Sequence, residues 1–247
     1  MKRIREVTMK ENRWGISGNA LKWIALVTML IDHIGAVVVS RIMNLPQFDA
    51  ELWRQIYSPL RSIGRVAFPI FLFLLVEGFL HTRNVGKYLG RLLIFAVISE
   101  IPFNLAIAGS LGSLKYQNVY WELALGLIVL WLVRIVEEKK LHFSLQIILK
   151  LVILTGGMVL AEVLALDYGM YGIFSVFVIY LARDNRLKQA VLGGITFLWE
   201  NPAPLAFLPI FCYNGKRGRG LKFAFYIFYP AHLLVLYLIA RAIGCPY

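Results

Sequence analysis

The chain is short of charge and nearly free of cysteine. Of its 247 residues only 16% are charged, whereas a soluble domain carries roughly 25%, and 59% are hydrophobic. A water-soluble core cannot hide so many long apolar runs, so a soluble globular protein is excluded and a multispanning membrane protein is expected. Two cysteines, Cys212 and Cys245, are too few for a disulfide framework or a thiolate metal cluster. The four histidines form no HxxxH or HxxE pair, so no metal site is expected. Acidic residues are scarce as well: 14 Asp and Glu against 26 Lys and Arg give a net charge of +12. With no soluble basic domain to carry that excess, it points to membrane topology and not to nucleic acid.

What the sequence does contain is organised around Leu21 to Ser40, LKWIALVTMLIDHIGAVVVS. About 20 apolar residues at 1.5 Å each cross a ~30 Å hydrocarbon core. Asp32 and His33 stand side by side in the middle of this run, followed by Gly35. A central Asp costs roughly 2.5–3.5 kcal/mol in an inserted helix, so the pair needs a protein-lined or wet surrounding. The basic stretch before it, with Lys2, Arg3, Arg5, Lys10 and Arg13, resembles a signal-peptide n-region. No small-x-small cleavage site follows, so the first helix is expected to be retained.

Eight further apolar segments follow: 65–80, 92–108, 119–133, 143–166, 169–182, 189–199, 204–213 and 223–243. The expected fold is therefore an all-α integral membrane bundle of about nine transmembrane helices. A basic tail (1–20) precedes one membrane domain (21–247). The segments at 169–182, 189–199 and 204–213 are short enough to be tilted, re-entrant or buried. With the N-terminus inside and the C-terminus outside, 19 of the 26 Lys and Arg fall on inner segments and six on outer ones, Arg61 and Arg65 among the latter. That is the direction of the positive-inside rule. Lys150 alone falls within a span, where it would snorkel inward, and the long outer loop 41–58 reads as a solvated face. Cys212 and Cys245 would lie about a membrane apart, too far for a disulfide. Glu122 and Glu162, near outer ends, would meet water.

This topology places three spans in register. Asp32 lies ten residues after Lys22, Glu100 nine after Arg91, and His232 ten after Lys222. Each group would stand about 14–15 Å above the inner boundary, with His33 one residue further out. Two carboxylates and two imidazoles at one depth suit acid–base work, an imidazole exchanging a proton near pH 6.5 while a carboxylate on its other nitrogen fixes the tautomer. Adjacent helical residues diverge by about 100°, so Glu100 is the expected partner of His33, while Asp32 would hold His232 or substrate. Asn104, one turn beyond Glu100 and beside Pro102, is a candidate substrate-binding residue. The same residue types also serve proton relays in transporters, or simply fix helix packing.

The order of several stretches resembles the TraX family: MLIDHIG at 29–35, IGRVAFPIFLFLLVEGFLHTRN at 63–84, RLLIFAVISEIPFNLA at 91–106, AEVLALDYGMYG at 161–172 and FAFYIFYPAHLLVLYLI at 223–239. The similarity covers the chain from Leu21 to Ile243. TraX is associated with N-terminal acetylation of conjugative pilin, and the family resembles the wider group of multispanning membrane acyltransferases, in which a first-helix histidine is central; here that is His33. The resemblance implies a multi-pass protein of the bacterial cytoplasmic membrane. It would move an acetyl group from acetyl-CoA to an amine or hydroxyl acceptor, a pilin-like protein or an envelope component. Cytosolic acetyl-CoA would bring its phosphates to inner basic residues, for which Arg83, Lys87 and Arg91 are the candidates. The catalytic candidates are His33, Asp32, Glu100 and His232. A proton-coupled transporter and a non-catalytic assembly factor are the rival functions.

Overall fold

The computed structural model describes residues 15–113, 115–218 and 224–244. These residues form helices joined by turns, with two isolated backbone bridges and no strand among them. Six helical segments are long and apolar enough to cross a membrane: α1 (Gly18–Ile42), α2 (Ala50–His81), α3 (Val85–Ala108), α4 (Val119–Glu138), α5 (Phe143–Val163) and the span Phe225–Ala242 within α9 (Ala224–Ala242). Between α5 and α9 lie three shorter helices, α6 (Gly169–Leu181), α7 (Arg186–Ile195) and α8 (Phe207–Phe211). At 1.5 Å per residue, the ten residues of α7 reach only about 15 Å, half the hydrocarbon thickness. Among the described residues the nine apolar segments expected from the sequence thus correspond to six helices of membrane length and three shorter ones.

The chain divides into two compact units, Met1–Leu74 with Val178–Phe225 and Leu75–Phe177 with Tyr226–Tyr247. Most of the basic tail, with Lys222 and Cys245, lies outside the described residues.

In the first unit α1 begins where Ser17 accepts a hydrogen bond from the Ala20 N–H (3.2 Å). The N–H groups of Gly18 and Asn19, which a helix start leaves without intrahelical partners, donate to the carbonyls of Lys216 (2.8 Å) and Arg217 (2.9 Å). From Ile34 to Val39 the helix widens into a π-helical segment directly after His33. Ser40 and Arg41 turn their side chains back onto the Ala36 and Val37 carbonyls, both at 2.5 Å. Such widenings are frequent at functional sites.

Helix α2 replaces the second part of the loop expected at 41–58, from Ala50 on, while Asp49, Glu51 and Arg54 are exposed as a solvated face requires. Asp49 caps its start by accepting from the N–H groups of Glu51 (3.0 Å) and Leu52 (3.3 Å). From there the helix runs to Gly64, turns at Arg65–Val66 and continues from Ala67 to His81. Its 32 residues span about 48 Å, so the amphipathic first part extends beyond a 30 Å core. Arg61 and Arg65, expected on outer segments, stand near the middle of this long helix.

The stretch from α7 to α8 folds back on itself. Gly193 makes this possible: a Cβ there would lie 2.2 Å from the Phe207 ring. At the open end the Arg186 guanidinium covers the rings of Phe73 (4.8 Å) and Tyr213 (5.0 Å). There too the backbone of Ile16 pairs with residues 212–214, its N–H donating to the Cys212 carbonyl and its carbonyl accepting from the Asn214 N–H. The two arms therefore start and finish beside the N-terminus of α1.

In the second unit α3 starts on Asn84, whose side chain accepts from the Lys87 N–H (2.8 Å), and stops at Gly109 in a left-handed conformation (φ 68°). Helix α4 starts on Asn118 in the same way. The Lys150 ammonium donates to Glu137, in the last turn of α4, at 2.9 Å and ties α5 to α4. Large apolar side chains along α3 and α5, including Val97, Ile101, Val152 and Val159, stay more than half exposed, as a lipid-facing surface requires.

Candidate functional site

In the first unit, four charged side chains gather where the middles of α1 and α2 meet the tip of the α7–α8 hairpin. Arg61 donates to Asp32 Oδ2, and both side chains are largely buried. One turn along α2, Arg65 donates through Nε to Glu200 Oε1 at 2.8 Å, also with little exposure. Arg65 and Glu200 both lie within electrostatic reach of Asp32. Phe197 of the hairpin packs edge-on against Phe68, one turn of α2 beyond Arg65 (6.1 Å). Two cations offset two carboxylates, which is what lets the three charges of α1 and α2 sit with Glu200 away from water.

Gly64 is the residue that brings α1 and α2 together here. A Cβ at that position would lie 2.1 Å from the Asp32 Cβ, so no other residue fits without pushing the helices apart. Asp32 Oδ1 is buried and has no hydrogen-bond partner. His33, half-buried, follows at once and caps the π-helical segment.

The second unit holds a different polar group. Glu100 of α3 accepts hydrogen bonds from Asn104 Nδ2 (3.2 Å), Asn118 Nδ2 (2.5 Å) and Trp121 Nε1 (3.1 Å). Asn118 also donates to the Ala96 carbonyl at 2.8 Å. Asn104 is buried and, one turn from Glu100, is held by it as the spacing implies. This network joins the C-terminal half of α3 to the start of α4.

His232, on α9 in the same unit, is buried. Its Nδ1 donates to the Phe228 carbonyl at 2.7 Å, and the ring stacks on Phe228 at 4.9 Å. Pro230 has no N–H to give the Tyr226 carbonyl, and the Tyr120 hydroxyl takes that place at 3.2 Å. Glu122, expected at a watery outer end, is instead almost fully buried against Gly172.

The expected layer is therefore distributed over both units: Asp32 and His33 belong to the first, Glu100, Asn104 and His232 to the second. The donor-binding candidates Arg83, Lys87 and Arg91 also belong to the second. Lys87 is exposed in the first turn of α3, and the Arg91 guanidinium lies over the Tyr88 ring at 5.6 Å. No group of His, Cys, Asp and Glu suited to holding a metal ion occurs among the described residues.

The TraX protein family profile matches residues 17–240, which takes in both polar groups. The chain belongs to the TraX family. It is also 31% identical over 246 residues to "Probable fimbrial assembly protein FimC, serogroup H1" of Dichelobacter nodosus, covering 87% of this chain and 92% of that protein. No solved structure matches it. The first three TraX-like stretches supply Asp32 and His33, then Arg65, then Glu100 and Asn104.

Sequence reasoning missed Arg61, Arg65 and Glu200 as members of a site. The signal was present in each case. Arg61 and Arg65 are four residues apart, on one face of a helix. Glu200 immediately precedes an Asn-Pro turn, where a chain doubling back places a side chain at its tip.

Proposed function

We propose that this TraX protein is a membrane-embedded acetyltransferase that uses acetyl-CoA as donor and acylates an amine or hydroxyl, with the N-terminus of a pilin-like protein as the favoured acceptor. The observation that carries the reading is the largely buried Asp32–Arg61 and Arg65–Glu200 cluster, which begins one residue from His33 and has three of its four charges within the membrane-length helices α1 and α2. Charged groups so placed are costly and are retained for chemistry or transport.

In this reading His33 takes a proton from the acceptor as its nitrogen or oxygen attacks the acetyl carbonyl. The new C–N or C–O bond forms, the C–S bond breaks, and the proton passes to the departing CoA thiolate. In the covalent variant His33 first carries the acetyl group and then yields it to the acceptor. Glu100, with both oxygens engaged by three N–H donors, positions α4 on α3, and His232 contributes through packing and binding. Arg83, Lys87 and Arg91 receive the CoA phosphates.

The topology that fits has the N-terminus in the cytoplasm and the C-terminus outside, in the bacterial cytoplasmic membrane. With α6 as a seventh crossing, a hairpin that leaves and re-enters on one side preserves the same alternation of loops as two crossings, so the basic turns 83–91, 134–140, 183–188 and 214–222 stay cytoplasmic. Purified protein in nanodiscs, given acetyl-CoA and a free-N-terminus peptide, should release CoA thiol and form acetyl peptide. Absence of both with every amine and hydroxyl acceptor tried defeats the proposal.

The name of the Dichelobacter nodosus relative favours a second reading, a non-catalytic role in fimbrial assembly. It predicts that His33→Gln leaves pilus formation intact.

A further inference from the structure

We infer that the polar face of the first part of α2 lines a water-filled lane, which opens at the Asp49 end of the helix and admits a water-borne polar ligand to the Asp32–Arg61–Arg65–Glu200 cluster. The inference goes beyond the acyltransferase reading and does not depend on it. The first observation is that the cluster is not sealed. Its four side chains each keep 15–29% of their surface exposed. Arg61 and Arg65 stand near the middle of a 32-residue helix, where hydrocarbon is a costly neighbour for exposed charge. Water is the medium that meets this demand.

The second observation is the side from which water arrives. From Arg65 toward Asp49, the residues Ser62, Ser58, Gln55 and Glu51 recur at steps of three and four, so with Arg61 and Arg54 they share one helix face. Their cover thins steadily along the way: Arg61 and Ser62 are half-buried, whereas Ser58, Gln55, Arg54 and Glu51 are exposed. Leu52, Ile56 and Ile63, on the opposite face, are also exposed but apolar, as contact with lipid requires. In the other direction the same helix is closed. Phe68, Ile70, Leu72 and Phe73 are buried, and the Phe68–Phe197 ring pair lies one turn beyond Arg65. The α7–α8 hairpin ends at the level of the cluster with Glu200 at its tip, and Ser58, two turns further toward Asp49, is left uncovered. In the topology proposed above, the open end is the extracytoplasmic one.

The test is thiol accessibility in the full-length protein with Cys212 and Cys245 replaced by serine. Single cysteines are placed at Ser58 and Ser62 and, on the opposite face within about 3 Å of the same depth, at Ile56 and Ile63. Cysteines at Asp49 and Lys188 serve as references for the two ends. Sealed vesicles of either orientation receive a membrane-impermeant quaternary-ammonium methanethiosulfonate, and the remaining thiol is counted after denaturation. The reagent attacks a thiolate, which forms in water and not in hydrocarbon, so from the Asp49 side Ser58→Cys and Ser62→Cys should react roughly tenfold or more faster than Ile56→Cys and Ile63→Cys. Equal rates on the two faces overturn the inference, and so does reaction of Ser58→Cys and Ser62→Cys from the Lys188 side alone. If either lane variant fails to fold, the other still decides. An Asp49→Cys reference that reacts from the cytoplasmic side, with the difference between faces intact, leaves the lane standing and removes the proposed topology. An accessible lane with no acetyl transfer in any assay leaves it standing and removes the acyltransferase reading.

Discussion

The two polar groups look alike in the sequence and differ in how completely their hydrogen bonds are closed. In the second unit Glu100 receives three N–H donors from Asn104, Asn118 and Trp121. Its network is what a structural tie between two helices needs. In the first unit Asp32 has one oxygen on Arg61 and one buried without a donor, at a widened turn and against a hairpin tip. A satisfied network rigidifies, whereas a buried acceptor without a donor marks a strained or chemically available group. Midplane position alone does not separate the two cases; the donor count does.

The comparison can be broken most decisively at His33. His33→Ala should lower the acetyl-transfer rate by roughly 10²–10⁴, and His33→Gln nearly as much because it cannot titrate. Turnover of each folded variant, by thiol release, checks this. Next in size is the ion pair. Arg61→Met strands the Asp32 carboxylate and should cost about 3–5 kcal/mol of stability. Adding Asp32→Asn to that variant should restore much of the loss, which thermal unfolding in nanodiscs would show as coupling between the two sites. Gly64→Ala forces a methyl into Asp32 and should destabilise by about 1–3 kcal/mol while reducing activity, read by the same two assays. Smallest is Lys87→Ala. If Lys87 meets CoA phosphate, KM for acetyl-CoA should rise a few-fold with little change in kcat.

Much of the helical architecture was legible because apolar runs of membrane length leave little alternative. The reading 119–133 corresponds to α4 and 143–166 to α5. Residues 50–64 were harder. Pro59 and three charged side chains there suggest a loop, yet a helix tolerates proline at the cost of one hydrogen bond, and the polar face of an amphipathic helix is ordinarily charged. The hairpin was ambiguous for a different reason. Charge alternation depends only on which side a segment ends, so two crossings and one re-entry give the same pattern. In the candidate site, Asp32 and His33 stood out as polar residues in an apolar run. Arg61, Arg65 and Glu200 did not, since their pairing depends on which helices pack together.

The account rests on the difference between Asp32 and Glu100, and one paired measurement bears on it most directly. Asp32→Asn and Glu100→Gln each replace a carboxylate by an amide of similar size. Both should be purified in nanodiscs and assayed for thermal stability and for acetyl-CoA turnover with a free-amine peptide. Glu100→Gln turns an amide toward groups that donate and should lose about 1–3 kcal/mol of stability, with the folded fraction turning over within about threefold of the wild type. Asp32→Asn leaves the Arg61 guanidinium without its carboxylate and should lose stability too, but its folded fraction should fall at least tenfold in turnover. Equal turnover in Asp32→Asn and the wild type, or a catalytic loss confined to folded Glu100→Gln, would contradict the account.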